Sequence, residues 1–284
     1  MFRAFWIWAS GGDVCDEKWF FDKSVWQKMF RAMTGCGFNA LFYANIPPFS
    51  TMLDCRQDFD DSAAVDYRQM HQWVFKNALD YNIGPYLVVN PADLQTQIQS
   101  EGLTLDSVGS GLRMLLDEYP ELCGLVIDRL NDAPMDLVQQ GIVDVLDAVR
   151  PDASLYMRVQ DAGPDDPMRA IKRRGSRKIE YSVKFTRDHL VDENPDAHFI
   201  SWAEQAGAQN VTAEIECANF EPWTSFSYDT AGGVLANLQE LGCGGFSIKP
   251  LCPGEWPHSS DSYFKYQWQR DLVWHSVWGG SSIE

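Results

Sequence analysis

Apolar residues in this chain follow two periods in turn. Short alternating or wholly apolar runs give way to longer stretches with an apolar residue at every third or fourth position. Residues 2–10 open with alternating large apolar groups and end in Ser-Gly-Gly, which predicts a strand and a turn. Residues 22–37 carry Val25, Met29, Phe30 and Met33 on one helical stripe, closed by Gly35 and Gly37. Further strands are predicted at 39–45, 84–90, 122–127, 154–160, 178–185, 211–217 and 245–250. The intervening helices fall at 63–81, 105–119, 135–149, 166–174, 202–206, 230–241 and 263–274. Strand-then-helix units spaced roughly 30 residues apart leave each crossover long enough for a right-handed return to a parallel neighbour. The fold class expected is therefore α/β, a closed (β/α)8 TIM barrel filling residues 1–284 as a single domain. An open doubly wound sheet would want a Gly-rich phosphate loop after its first strand. No G-x-G-x-x-G stands there, which sets nucleotide cofactors aside.

In such a barrel the carboxyl ends of the strands form the functional face. The segment 122–134 shows the pattern most sharply. Its apolar run from Leu125 to Ile127 turns abruptly polar, with Asp128, Arg129, Asn131 and Asp132 before Pro134. The other strand ends supply Trp6, Trp8 and Ser10; Asn45; Asn90; Arg158, Gln160 and Asp161; Lys184 and Asp188; Glu214, Glu216, Asn219 and Glu221; and Lys249. Carboxylates facing one another across aromatic rings point to glycosidase chemistry. One acid protonates the leaving oxygen while another, ionised, activates water or attacks carbon. His71, His189, His198, His258 and His275 are scattered without H-x-H or H-E-x-x-H spacing, so no metal centre is expected. The G-x-S-x-G of a serine acyl hydrolase is missing as well.

A formal charge of −17 argues against nucleic acid or an anionic membrane as partner. It leaves room for an anionic sugar, because a local Arg or Lys can override the global field. Eleven Trp suit sugar platforms as well as a large core. Seven Cys without CxxC spacing read as reduced thiols, and the N-terminus has no secretory pattern, so a cytoplasmic location is expected. No run approaches the length of a membrane span.

Three segments carry a resemblance. They are Gly37-Phe-Asn-Ala-Leu-Phe-Tyr-Ala-Asn-Ile-Pro47, Tyr81-Asn-Ile-Gly-Pro-Tyr-Leu-Val-Val-Asn90 and the closing Tyr263…Arg270-Asp-Leu-Val-Trp274. In order and spacing the chain resembles the catalytic barrel of the α-glucuronidases of glycoside hydrolase family 67 and their relatives. The resemblance implies Asp132 as general acid, where the family has a Glu after strand four. It implies Asp188, in Lys184-Phe-Thr-Arg-Asp188, as one of two groups that activate water in an inverting reaction. Arg158 would grip the substrate, and Trp6 or Trp8 would match the family's strand-one Trp. Two positions depart from the family. Its strand-four Lys is Asp128, and its second base has no clean counterpart, with Glu221 and Glu216 as stand-ins. The family's β-sandwich before the barrel and helical domain after it are not in the chain.

Each candidate also has an ordinary reading. Asp132 fits an N-cap of the 135–149 helix, and Asp188 a plain loop residue. Glu214 and Glu216 share one side of their strand, and a buried carboxylate there must pair, with Lys184 or Arg158 as partner. Trp6 and Trp8 share a face and suit core packing as well as a platform. The reading taken is a carbohydrate hydrolase without cofactor. Asp132, Asp188, Glu216 and Glu221 are its catalytic candidates. Trp6, Trp8, Asn45, Asn90, Asp128, Arg158, Lys184 and Glu214 are its substrate-binding candidates. Its alternatives are a barrel that binds saccharide without cleaving it, and a catalytic fragment completed by partner domains or by a second copy in a homo-oligomer.

Overall fold

The computed structural model describes residues 1–8, 17–44, 62–129, 134–159, 163–164, 171–174, 178–186, 192–216, 228–250, 257–259 and 262–279. Eight strands pair in parallel: β1 (Phe2–Trp8), β2 (Ala40–Ala44), β3 (Gly84–Val89), β4 (Gly124–Ile127), β5 (Ser154–Val159), β6 (Ile179–Lys184), β7 (Val211–Ile215) and β8 (Gly245–Ile248). They follow one another in chain order, and β8 pairs with β1 to close the barrel. All eight lie inside the predicted ranges, each shorter by one or two residues.

Local chemistry explains the helix boundaries. Helix Lys23–Gly35 starts where the Asp22 carboxylate accepts from the Ser24 amide, and it buries the predicted stripe of Val25, Met29, Phe30 and Met33. Helix Ala197–Ala206 begins earlier than predicted, since Asp196 caps it by accepting from the Phe199 amide at 2.8 Å. The apolar pattern predicts no helix at Pro91–Glu101, yet one forms there. Asn90 caps it and Pro91 occupies its first turn, where a missing amide costs nothing. The predicted 135–149 helix contains a π-helical stretch, Leu137–Val143, before α-helix Asp144–Val149. Of the predicted 166–174 helix, residues 166–170 lie outside the described residues, and 171–174 are not helical. Arg173 there bonds Asp147 at 2.7 Å and the Ala153 carbonyl at 2.7 Å, fixing that segment to the barrel wall.

Both faces of the sheet are buried, as a closed parallel barrel requires. Outward residues such as Phe5, Ile7, Leu41 and Tyr43 meet the helices, while Ala4, Trp6, Phe42, Val126 and Tyr156 fill the lumen. Two lumen positions tolerate only glycine. A Cβ on Gly124 would sit 2.1 Å from the Ser154 carbonyl oxygen, and one on Gly245 2.0 Å from that of Phe2. Among the described residues no helix is long and apolar enough to cross a membrane.

Candidate active site

The alternation of side chains along β5 to β8 turns Arg158, Lys184, Glu214 and Lys249 toward the carboxyl-end mouth. The ladder continues just past the strand ends and fixes the residues there. The Asp128 amide donates to the Val89 carbonyl at 2.8 Å, and the Lys249 amide to the Ile215 carbonyl at 3.3 Å. Lys184 and Glu214 are register partners on β6 and β7, and Glu214 stands opposite Ser247 on β8.

These side chains form one chain of ion pairs around the lumen. The Arg158 guanidinium donates to Asp128 Oδ1 at 2.6 Å and to Glu214 Oε1 at 2.7 Å, with a further bond from its Nε to Glu214 Oε2. Lys249 Nζ lies 3.0 Å from Glu214 Oε1 and 3.7 Å from Glu216 Oε1. Lys184 Nζ closes the series 2.9 Å from Glu216 Oε2. Trp6 lies beneath, its ring centroid 5.8 Å from the Arg158 Cζ and 5.5 Å from the Lys249 Nζ, within reach of cation–π attraction. Three carboxylates thus balance three cations.

Burial divides the network into a foundation and a working edge. Asp128, Arg158, Glu214 and Lys249 are buried, as is Trp6. The side chains of Glu216 and Lys184 retain 21% and 25% of their exposure, so they are the members a ligand can reach. Burial alone would push the Glu214 carboxyl up, but Arg158 and Lys249 override it and hold it down at about 2. Glu214 is therefore a fixed anion, unsuited to exchanging protons near neutrality. Glu216 is also held below its ordinary value. Burial opposes this, while Lys249 and the hydrogen bond from Lys184 outweigh burial and the nearby Glu214 charge. Against the penalty of burial, Glu214 and Asp128 hold the Arg158 guanidinium above its ordinary range.

The structure thus brings together Trp6, Asp128, Arg158, Lys184, Glu214 and Glu216 among the sequence candidates. Arg158 spends its donors on two carboxylates, so it orders the acids of the mouth. Asn90 is engaged apart from the network. Its Oδ1 accepts from the Ala92 amide at 3.1 Å and its Nδ2 donates to Asp93 at 2.8 Å. Trp8 ends β1, and its side chain lies outside the described residues, as do Asn45, Asp132, Asp188 and Glu221 entirely. Lys249 is the network member that is not among the catalytic and substrate-binding candidates read from the sequence. Its parity with Ser247, a lumen residue on the same strand, was the available signal. Among the described residues no group of three His, Cys, Asp or Glu side chains is placed to hold a metal ion.

No family model matches the chain, and no curated protein does either. Solved structures of similar fold include a glycoside hydrolase family 138 enzyme targeting pectin rhamnogalacturonan II. Its TM-score is 0.72 at 18% identity, over 98% of this chain and 38% of that one. A family 5 glycoside hydrolase from Bacteroides vulgatus ATCC 8482 gives 0.61 at 8% identity, over 97% of this chain and 64% of that one. A β-glucanase from Saccharophagus degradans, solved with cellotetraose, gives 0.55 at 13% identity, over 99% of this chain and 88% of that one. This chain therefore spans less than two thirds of the length of the first two. At these identities the likeness is one of fold: a (β/α)8 barrel of the kind these glycoside hydrolases share.

Proposed function

We propose that this barrel hydrolyses a glycosidic bond of an oligo- or polysaccharide at its carboxyl-end mouth, with a uronic-acid-containing chain as the substrate class. The observation that carries the reading is Glu216, a partly exposed carboxylate at the β7 end, flanked by two lysines and held below its ordinary pKa. It is ionised at neutral pH and within reach of a ligand. The β4 end, from which the chain runs on toward Asp132, lies three strands round the ring from β7. Two carboxyl groups on opposite sides of a bound sugar are what glycoside hydrolysis requires. The similar solved structures, which are glycoside hydrolases, and the α-glucuronidase-like sequence segments lend support.

In this reading Asp132 gives its proton to the leaving oxygen. Asp188 takes a proton from the water that attacks the opposite face, so the anomeric centre inverts. Glu216 or Glu221 assists by stabilising positive charge that develops at the sugar ring. Arg158, Asp128, Glu214 and Lys249 hold the geometry, and Lys184 meets the substrate. A second reading makes Glu216 the nucleophile. It is favoured by the two lysines, because a carboxylate kept anionic accepts protons poorly but serves well as attacking and leaving group. Glu216 would then bond to the anomeric carbon as Asp132 protonates the departing oxygen, and water activated by the Asp132 carboxylate would release the sugar.

The test is hydrolysis of aryl glycosides and acidic oligosaccharides by wild type and Asp132→Asn, with the first anomer identified by proton NMR. Loss of turnover in the variant with an inverted first product supports the Asp188 scheme. A retained product assigns the attack to Glu216. Saccharide binding without turnover would overturn the hydrolase and leave a carbohydrate-binding barrel.

A further inference from the structure

Arg158, Lys184 and Lys249 are all committed to carboxylates of the network. Among the described residues, one more cation stands at the same strand ends and belongs to none of these pairs. Arg129 directly follows Asp128 at the end of β4, its side chain is exposed, and among the described residues its guanidinium makes no ion pair. Its backbone is unusual too. Arg129 has a φ of 49°, the left-handed region that a non-glycine residue enters only at a cost. That conformation is clamped in place. The Arg129 amide donates to Asp128 Oδ1 at 2.8 Å, and the same oxygen accepts from Arg158 at 2.6 Å. The buried network thus pins the backbone that carries an uncommitted guanidinium on the rim of the mouth. Strain of this kind persists where surrounding contacts over-determine it, and it concentrates at ligand-binding positions.

We propose that Arg129 is the specificity-determining residue for an anionic group on the bound saccharide. A planar carboxylate would accept two parallel N–H bonds from its fork, and a sulfate would make the same kind of contact. The proposal rests on the carbohydrate reading above and names the residue that would sense the acid group. Charge supports it. The chain carries a net −17, which repels an acidic sugar, and the six-membered network contributes three charges of each sign. Arg129 adds one positive charge beyond that balanced network. Its preset backbone lowers the ordering cost of binding.

The test is isothermal titration of wild type, Arg129→Gln and Arg129→Gly with three probes. They are trigalacturonate, its methyl ester, and a sulfated trisaccharide, with hydrolysis followed in parallel. Glycine occupies a φ of 49° without strain, so the Gly variant keeps the fold while removing the fork. The expected result is at least tenfold tighter binding of the carboxylate or the sulfate than of the ester by wild type, and near-equal binding in both variants. The probe with the larger loss identifies the anion. Equal affinity for all three in wild type, no binding of any, or a preference that survives both substitutions would overturn the proposal. Hydrolysis without acid preference leaves the enzyme reading standing and this one refuted. Acid preference without hydrolysis does the reverse.

Discussion

Glu214 carries three bonds from two cations in a site that water scarcely reaches, and that pairing ties its ionisation to folding. Its ordinary value is 4.5 and its folded value is about 2. The ionised form therefore stabilises the barrel fully above pH 4.5, and this contribution disappears as pH falls from 4.5 toward 2. The shift corresponds to roughly 3 kcal/mol. His275 adds a second acid step. Burial lowers it from 6.5 to about 4, with Asp271 only partly offsetting that, so it folds neutral. Stability should fall from pH 6.5 to 4 as the unfolded chain gains a proton there, and no further from this residue below 4. Urea titrations across pH 7 to 3 on wild type and His275→Gln check both: the variant should lose the upper step and keep the lower. At the working edge, Lys184→Met removes a hydrogen bond that lowers the pKa of Glu216. The acid limb of kcat/KM should move to higher pH, and an unmoved limb would remove Glu216 from the rate-determining ionisations.

The pairing itself was partly legible in the sequence. The two-residue period put Glu214 and Glu216 on one side of β7, and the cost of burying a carboxylate demanded a cation, which Arg158 and Lys184 supply. The choice of Lys249 was harder to read, because it depends on the register between β7 and β8. The left-handed Arg129 carried no signal at all, since neither Gly nor Asn stands there.

At the scale of elements, strand existence was readable and boundaries less so. Alternating and fully apolar runs bury on one or both faces whatever lies next to them, so all eight strands fell within their predicted ranges. Helix Pro91–Glu101 escaped because its sequence, PADLQTQIQSE, has a weak apolar stripe. Its start is set by Asn90 and Pro91 instead. An Asn at a strand end reads equally well as ligand and as cap. Here its side chain bonds the Ala92 amide and Asp93. Asn90→Ala should cost about 1 kcal/mol of stability. Thermal denaturation measures this, and a much larger loss of activity than of stability would give Asn90 a second role at the mouth.

Across the whole molecule, closure of the barrel is what sets β4, β6, β7 and β8 around one lumen, so that residues as distant as Asp128 and Lys249 meet through shared partners. Gly245→Ala should break that closure. Its Cβ would fall 2.0 Å from the Phe2 carbonyl oxygen, a backbone atom at the β8–β1 seam that no side-chain rotation relieves. A destabilisation of roughly 3 kcal/mol or more is expected, read as a lowered Tm. The closed lumen presents Glu216 as an ionised, partly exposed carboxylate, as the proposed hydrolysis requires. Turnover of acidic oligosaccharides by wild type and Glu216→Gln, with the melting temperature of each recorded, decides whether this carboxylate takes part in hydrolysis. The expected result is a loss of at least about a hundredfold in kcat with the variant still folded and still binding saccharide. Undiminished turnover in a folded Glu216→Gln would remove Glu216 from the reaction.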